Sequence, residues 1–430
     1  MKIDSIAINN FRIFEDKKIE FNSKFNVIIG DNGVGKTSLL EAITVSLNPF
    51  LKVVTGKNLR PIKTEDIRRT SYSNHSEEKL FCSIKAVGDM PVANSQWQIV
   101  RERLNWGYMK TDTALVSEAT KDLVRRVVDG DLSAELPLVK YYGTVRFQRD
   151  IVGGLKDEFK GKSSRLDVYP QALNPFSSIT QFTDWFKRME LASLQGKEES
   201  RKLAMMVKTA VAKSVPGWEE LRYDIDEGSL QALMGNNKEW MPIRQLSDGQ
   251  KTVMAMVADL VYRCIILNPM FEIDAAKETG GIVLIDELDI HLHPNWQRKI
   301  VIMLKEIFPK IQFITTTHSP FIVQSLKNEE LIDLQGKDYD SDYVNKGIEE
   351  IAENEMNVTM PEKSLIYKEM EDKAEEYLRL IDQLNGTSDR SKIDAIESKL
   401  KDIEDNYRPF NPAYSALLRS ERKAKIKNAI

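Results

Sequence analysis

The chain has 430 residues, 42% of them hydrophobic and 29% charged, which suits one large, elaborated domain with an appendage rather than a string of small domains. A net charge of −4 excludes nucleic-acid recognition by bulk charge, so any such contact needs a local patch such as "KDEFKGKSSR" (156–165) or "LRSERKAKIK" (418–427), each more often an ordinary solvated surface. No stretch approaches the ~20 apolar residues of a membrane helix, and "MKIDSIAINNFRIF" alternates instead of building a signal-peptide block. Cys82 and Cys264 lie far apart with no CxxC pattern, which reads as buried, reduced thiols in a cytoplasmic protein.

In chain order, "KIDSIAINNF" and "KKIEFN" read as strands, followed by a buried strand "KFNVIIG" and a glycine-rich loop. The amphipathic run "TSLLEAITVSLN" then predicts a helix stopped by Pro49. Strand-like stretches follow at "KLFCSIKAV", "QWQIVRERL" and "LPLVKYYGTVRF". Residues 178–215 are helical in period, and three short strands come near "LRYDID", "LQALMG" and "WMPIRQL". A helix starts at Asp248–Gly249 and runs through "QKTVMAMVADLVYRCIIL". "GGIVLIDELD" is a continuous apolar run suited to a buried parallel strand, Pro294 suits the first turn of a helix over 294–308, and "QFITTTH" is another buried strand.

From 336 the character changes. "GKDYDSDYVNKG" reads as a loop, Ile366, Met370, Ala374, Tyr377, Ile381 and Leu384 form one helical stripe, and Ile393, Ile396, Leu400 and Ile403 form a second. The pair predicts a helical hairpin, ending in a short tail with Pro409 and Pro412; Tyr414, Leu417 and Leu418 in that tail are candidates for docking a partner.

The strongest chemical signal is "GDNGVGKT", Gly30 to Thr37, which matches GxxxxGK[ST] between a strand and a helix. Gly30, Gly33 and Gly35 permit turns that aim backbone N–H groups at phosphate oxygens, and the helix N-terminus adds positive charge. Lys36 is expected to reach the β- and γ-phosphates of ATP and the Thr37 hydroxyl to ligate Mg²⁺, with Asn32 and Ser38 in the same nucleotide-binding set. In "IVLIDE" the strand delivers Asp286 as a second Mg²⁺ ligand and Glu287 as the group that orients or deprotonates water.

"LSDGQ", Leu246 to Gln250, resembles the ABC signature LSGGQ with Asp248 in place of its first glycine; by itself it would be a plain Ser/Asp helix cap. The resemblance implies that Ser247 and Gly249 face the γ-phosphate held by a second copy, hence a head-to-tail homodimer with ATP at the interface, a higher oligomer being left open. It further implies that His318 in "TTTHSP" is the switch histidine and that Asp289 in "LDIHLHP" belongs to the D-loop; Asp289, His291 and His293 otherwise look superficially like metal ligands. Arg12 in "NNFRIF" resembles an N-terminal arginine that approaches ATP phosphates, and Gln148 is the candidate Q-loop residue for Mg²⁺ and water, with Arg146 as its competitor.

The order "NFRxF", P-loop, "LSDGQ", "LIDELDIHLHP", "THSP" resembles the RecF/SMC-like branch of ABC ATPases, which includes the OLD-type proteins, over roughly 1–50 and 240–325. "YYGTVR" and "NPAYSALLRSERKAK" are similar to the PtuA family, the ATPase subunits of Septu anti-phage systems; related ATPases occur in retron modules. The expected fold is α/β: an ABC-type P-loop ATPase head with an antiparallel β lobe, a helical insertion and a C-terminal helical hairpin. The expected division is 1–154 (N-terminal lobe), 155–240 (mainly helical insertion), 241–335 (C-terminal lobe) and 336–430 (helical appendage). The implied function is an ATP hydrolase that dimerises on ATP and regulates an HNH nuclease partner of PtuB type in anti-phage defence, away from any membrane. The alternative is a RecF-like DNA-binding repair clamp without a nuclease.

Overall fold

A computed structural model describes the chain apart from residues 73–74, 80, 103–110, 145–163, 176–178, 215–216, 236–237, 337–342, 360, 386–389, 410 and 428–430. The chain divides into two compact units, Met1–Asn357 and Val358–Ile430. Among the described residues no helix is long and apolar enough to cross a membrane.

The first unit opens with β1 (Lys2–Phe11) and β2 (Phe14–Glu20), paired so tightly that Phe11 faces Phe14 across a two-residue turn. β3 (Phe25–Ile29) is buried along its length and leads through the glycine loop into α1 (Lys36–Thr55). Here the sequence expectation fails, because the helix runs through Pro49. Interior proline costs about 3 kcal/mol, but Phe50 and Leu51 beyond it, like Leu47 before it, have no exposed surface. Each such burial contributes about 1.5–3 kcal/mol, so packing outweighs the break.

Next come β4 (Arg69–Tyr72), β5 (His75–Glu78), β6 (Phe81–Asp89) and β7 (Ser95–Glu102), then α2 (Ala114–Val128) and β8 (Leu138–Tyr142). α2 is not evident in the sequence because its buried stripe is only Val116, Thr120 and Leu123, one of them polar. The insertion holds α3 (Ile179–Leu194) and α4 (Glu198–Ser214), followed by a small sheet of β9 (Trp218–Asp224), β10 (Ser229–Met234) and β11 (Glu239–Pro242). After it come α5 (Asp248–Leu267), α6 (Ala275–Glu278), β12 (Gly281–Ile285), α7 (Pro294–Ile307), β13 (Ile311–Thr316), α8 (Pro320–Val323), β14 (Leu331–Asp333) and α9 (Ile348–Asn354). Tyr343 and Ile351 are buried in the core of this unit, so the compact body continues past 336.

Two sheets position the site. The parallel sheet has the order β14-β3-β13-β12-β8, and every residue of β3, β13, β12 and β8 is buried, as expected for strands covered on both faces. Because β3, β13 and β12 are adjacent and parallel, the loops after all three open on one edge, the usual place for a ligand. The antiparallel sheet has the order β2-β1-β6-β7. The side chain of Gln312 stitches the two sheets together, accepting from Ile3 N–H and donating to the Ile3 carbonyl, each at 2.8 Å.

The second unit holds α10 (Leu365–Asn385), α11 (Arg390–Tyr407) and a third helix, α12 (Pro412–Lys427), where a tail was expected. Pro412 starts a helix instead of ending one, and the Asn411 side chain caps it by accepting from Tyr414 N–H at 3.0 Å. Tyr377, Leu380, Ile381, Leu400, Ile403 and Leu418 form the core of this unit, with Tyr414 packed against it. Leu418 and Tyr414 are thus internal, and of the proposed docking trio only Leu417 is well exposed.

Candidate functional site

The glycine loop leaves the end of β3 with Gly30, Gly33 and Gly35 at positive φ (143°, 86° and 105°), conformations that side-chain-bearing residues avoid. Gly35 is also crowded: a methyl group there would stand 2.8 Å from Phe14 Cζ. The β1–β2 turn therefore rests directly on the loop. Lys36 is 8% exposed, and its ammonium donates to the carbonyls of Gly30 (2.6 Å) and Asp31 (3.0 Å). Burial lowers its pKa, against the pull of Asp286, Glu287, Asp31 and Asp289. Asn32 is exposed in the loop, and Thr37 and Ser38 lie in the first turn of α1.

Asp286 follows β12 and is nearly buried. Thr37 Oγ1 donates to its Oδ2 at 3.0 Å, Thr316 Oγ1 donates to its Oδ1 at 2.7 Å, and its own N–H donates to the Tyr142 carbonyl at 2.8 Å. A hydroxyl and a carboxylate oxygen side by side are the hard donors that Mg²⁺ takes alongside phosphate and water, so the residues fit that ion. Glu287 is half-buried, adopts a left-handed φ of 50°, and donates its N–H to Thr316 Oγ1 at 2.7 Å. Thr316 thus grips both acidic residues, and the strain at Glu287 is of the kind that collects at working sites.

The loops around this pair are joined. Asp289 Oδ1 accepts from Thr317 Oγ1 at 2.5 Å and from the His318 N–H at 3.2 Å, while the His318 imidazole is exposed. Among the described residues no group of three or more His, Cys, Asp or Glu side chains is set to hold a metal, and Asp289 faces the His318 loop. Ser247 is exposed and caps α5 in a reciprocal box with Gln250, whose N–H it accepts at 3.3 Å and whose Oε1 takes the Ser247 N–H at 3.0 Å. Gly249 is buried beneath the backbone of His291.

Arg12 sits at the β1–β2 turn, with Nε donating to Asp66 Oδ1 at 2.9 Å and Nη2 3.9 Å from Glu41 Oε2. Arg60 joins both acids, with Nε to Glu41 at 2.7 Å and Nη1 to Asp66 at 2.7 Å. Sequence reading missed Glu41, Arg60 and Asp66. Only Glu41 carried a signal, lying one helical turn after Thr37. Gln148 and Arg146 lie outside the described residues.

Residues 2–338 match the model of the RecF/RecN/SMC N-terminal domain. The chain is 38% identical over 397 residues to the Retron Ec83 probable ATPase of Escherichia coli, covering 77% of this chain and 71% of that protein. It is 25% identical over 391 residues to the Retron Vc95 probable ATPase of Vibrio cholerae, covering 79% and 74%. It is 26% identical over 357 residues to the Septu protein PtuA of Bacillus thuringiensis, covering 80% and 76%.

Proposed function

The chain belongs to the RecF/RecN/SMC N-terminal domain family and is an ATPase of that family, and on that premise we propose that it is a nucleotide-gated switch. Two copies close head to tail on ATP, and the closed dimer controls a DNA-cutting partner of HNH type in anti-phage defence.

The chemistry follows from the residues. The loop N–H groups hold the phosphates, and Lys36 leaves the Gly30 and Asp31 carbonyls for the β- and γ-phosphates. Thr37 and Asp286 would hold Mg²⁺, which when bound neutralises charge on the phosphoryl oxygens. Glu287 takes a proton from the attacking water as its oxygen bonds to the γ-phosphorus and the bond to ADP breaks. His318 faces the γ-phosphate of its own copy, while Ser247, Gly249 and Asp289 serve the neighbour's site.

One observation carries the gating. Gly249 of the signature lies on the His291 backbone, and Asp289, two residues earlier, holds the His318 N–H. Groups assigned to the neighbour's nucleotide are therefore mechanically tied to a group assigned to this one. The retron and Septu relatives support the defence setting.

The test is co-purification with the product of the neighbouring gene, with and without ATP, using the Glu287→Gln protein to hold the closed state. An HNH protein retained in an ATP-dependent manner supports the reading. No partner, together with salt-dependent duplex binding by the isolated chain, would favour a RecF-type clamp.

A further inference from the structure

Arg12 is held in an unusual way. Its φ of 49° lies in the left-handed region that favours glycine, and such a residue persists only where its surroundings impose it. Asp66 imposes it twice: the Arg12 N–H donates to the Asp66 carbonyl at 2.7 Å, and Nε donates to its carboxylate at 2.9 Å. Asp66 has no exposed surface. Its carboxylate is itself fixed by Arg60, through Nη1 at 2.7 Å and Nη2 at 3.0 Å, and by the Lys63 N–H at 2.9 Å.

The inner edge of the Arg12 guanidinium is thus committed to Asp66 and Glu41, the latter rising from α1 one turn past Thr37. The outer nitrogen, Nη1, has no hydrogen-bond partner among the described residues. The same turn lies on the P-loop, since a methyl at Gly35 would stand 3.1 Å from Ile13 Cγ2. Arg60 shares both acids with Arg12, so two cations face two anions in a charge-balanced cluster, and Arg12 is braced by acids that Arg60 also holds.

We propose that Asp66 is the positioning residue for nucleotide binding by Arg12, fixing its backbone and its Nε edge so that the outer edge of the guanidinium meets a phosphate. This rests on the reading that Arg12 contacts the nucleotide, and the experiment separates the two.

Titration calorimetry with Mg²⁺ and the β,γ-imido analogue of ATP reads affinity, and thermal melting of each variant reads the fold. Arg12→Ala should weaken binding about tenfold; unchanged affinity removes Arg12 from the nucleotide site and the proposal with it. Given that loss, Asp66→Asn should weaken the parent by a similar factor and the Arg12→Ala protein no further. Equal weakening in both backgrounds overturns the proposal, because Asp66 would then act on the fold and not through Arg12. Arg12→Lys serves where Asp66→Asn does not fold, since lysine keeps the charge but offers no Nε–H for Asp66. A loss approaching that of Arg12→Ala supports positioning, and affinity within about twofold of the parent overturns it.

Discussion

A methyl group at Gly249 would stand 2.3 Å from the carbonyl oxygen of His291, closer than any real carbon–oxygen contact allows. The N-terminus of α5 and the loop after β12 are therefore packed backbone to backbone. Gly249→Ala must push one away from the other, and the loop that yields also carries Asp289, the anchor of the His318 N–H. Overpacking of this kind costs about 1–3 kcal/mol. The expected outcome is a melting point a few degrees lower and a turnover reduced about tenfold or more, read by steady-state phosphate release beside a thermal melt. Unchanged turnover would show that the two loops move independently.

Glu287→Gln keeps the side chain's shape and removes its basicity. Turnover should fall by at least about a hundredfold, while the affinity for ATP stays within a few-fold of the parent. Single-turnover hydrolysis with prebound nucleotide separates the two quantities, and parental rates would move the base elsewhere. The backbone at this position is strained in either variant, because Thr316 Oγ1 accepts the N–H of residue 287 and not its side chain.

The parts of the candidate site that were legible in the sequence share one origin. Gly30, Asp286 and His318 each stand just past the end of a buried strand, and those strand runs are visible without coordinates. The glycine loop adds its spacing, and Ser247 adds a helix cap. Contacts between distant segments left no such mark. Asp66 meets Arg12 across 54 positions from a short helical turn, "TED", that nothing in its neighbourhood singles out. Tyr142 meets Asp259 across 117 positions. The continuation of α1 past Pro49 and the helix begun by Pro412 were missed for a related reason: proline marks a boundary locally, while burial and a cap decide which side of it is helical.

Tyr142 links two parts of the site. Its carbonyl accepts the Asp286 N–H, and its hydroxyl donates at 2.6 Å to Asp259 on α5, where Arg263 Nε holds the other carboxylate oxygen at 2.9 Å. Burial raises the phenol well above the usual tyrosine range, so it remains a donor at neutral pH. Tyr142→Phe removes that donor from a buried carboxylate and should cost about 1–3 kcal/mol. The midpoint of urea unfolding checks the loss, with ATP affinity expected to stay near the parent because the main-chain contact to Asp286 survives. A midpoint equal to the parent's would mean that Arg263 alone satisfies Asp259.

Asp66 gives the fold an acid-sensitive brace. Burial by itself would raise its pKa, but hydrogen bonds from Arg60, the Lys63 N–H and Arg12 outweigh it and hold the group down to about 2 from its ordinary 3.8. A carboxylate lowered in the folded state contributes stability that is complete above its unfolded value and is lost as pH falls through its folded value. The contribution is about 2 kcal/mol, present above roughly pH 4 and vanishing toward pH 2. Between those limits the parent's stability should fall more steeply than that of Asp66→Asn, measured by denaturant midpoints at stepped pH. Parallel slopes would place the acid sensitivity in other carboxylates.

In the second unit, adjacent leucines of α12 have opposite environments. Leu418 is 4% exposed within the core built on Tyr377, Ile381 and Leu400, whereas Leu417 is 57% exposed. A large-to-small change in a core removes transfer energy and leaves a cavity, so Leu418→Ala should cost this three-helix unit about 2–5 kcal/mol. Leu417→Ala should stay within about 0.5 kcal/mol of the parent. Hydrogen exchange resolved to 358–430 reads the unit apart from the ATPase body, and only Leu418→Ala should accelerate exchange in α10 and α11. Cutting the chain at 407 would remove Leu418 and Tyr414 from the core, and lost binding would then report an unfolded unit. A charge at Leu417 leaves that core intact, so the single change, not the truncation, tests whether the outer face of α12 meets another protein. Equal exchange in the two alanine variants would mean that α12 is not part of the folded unit.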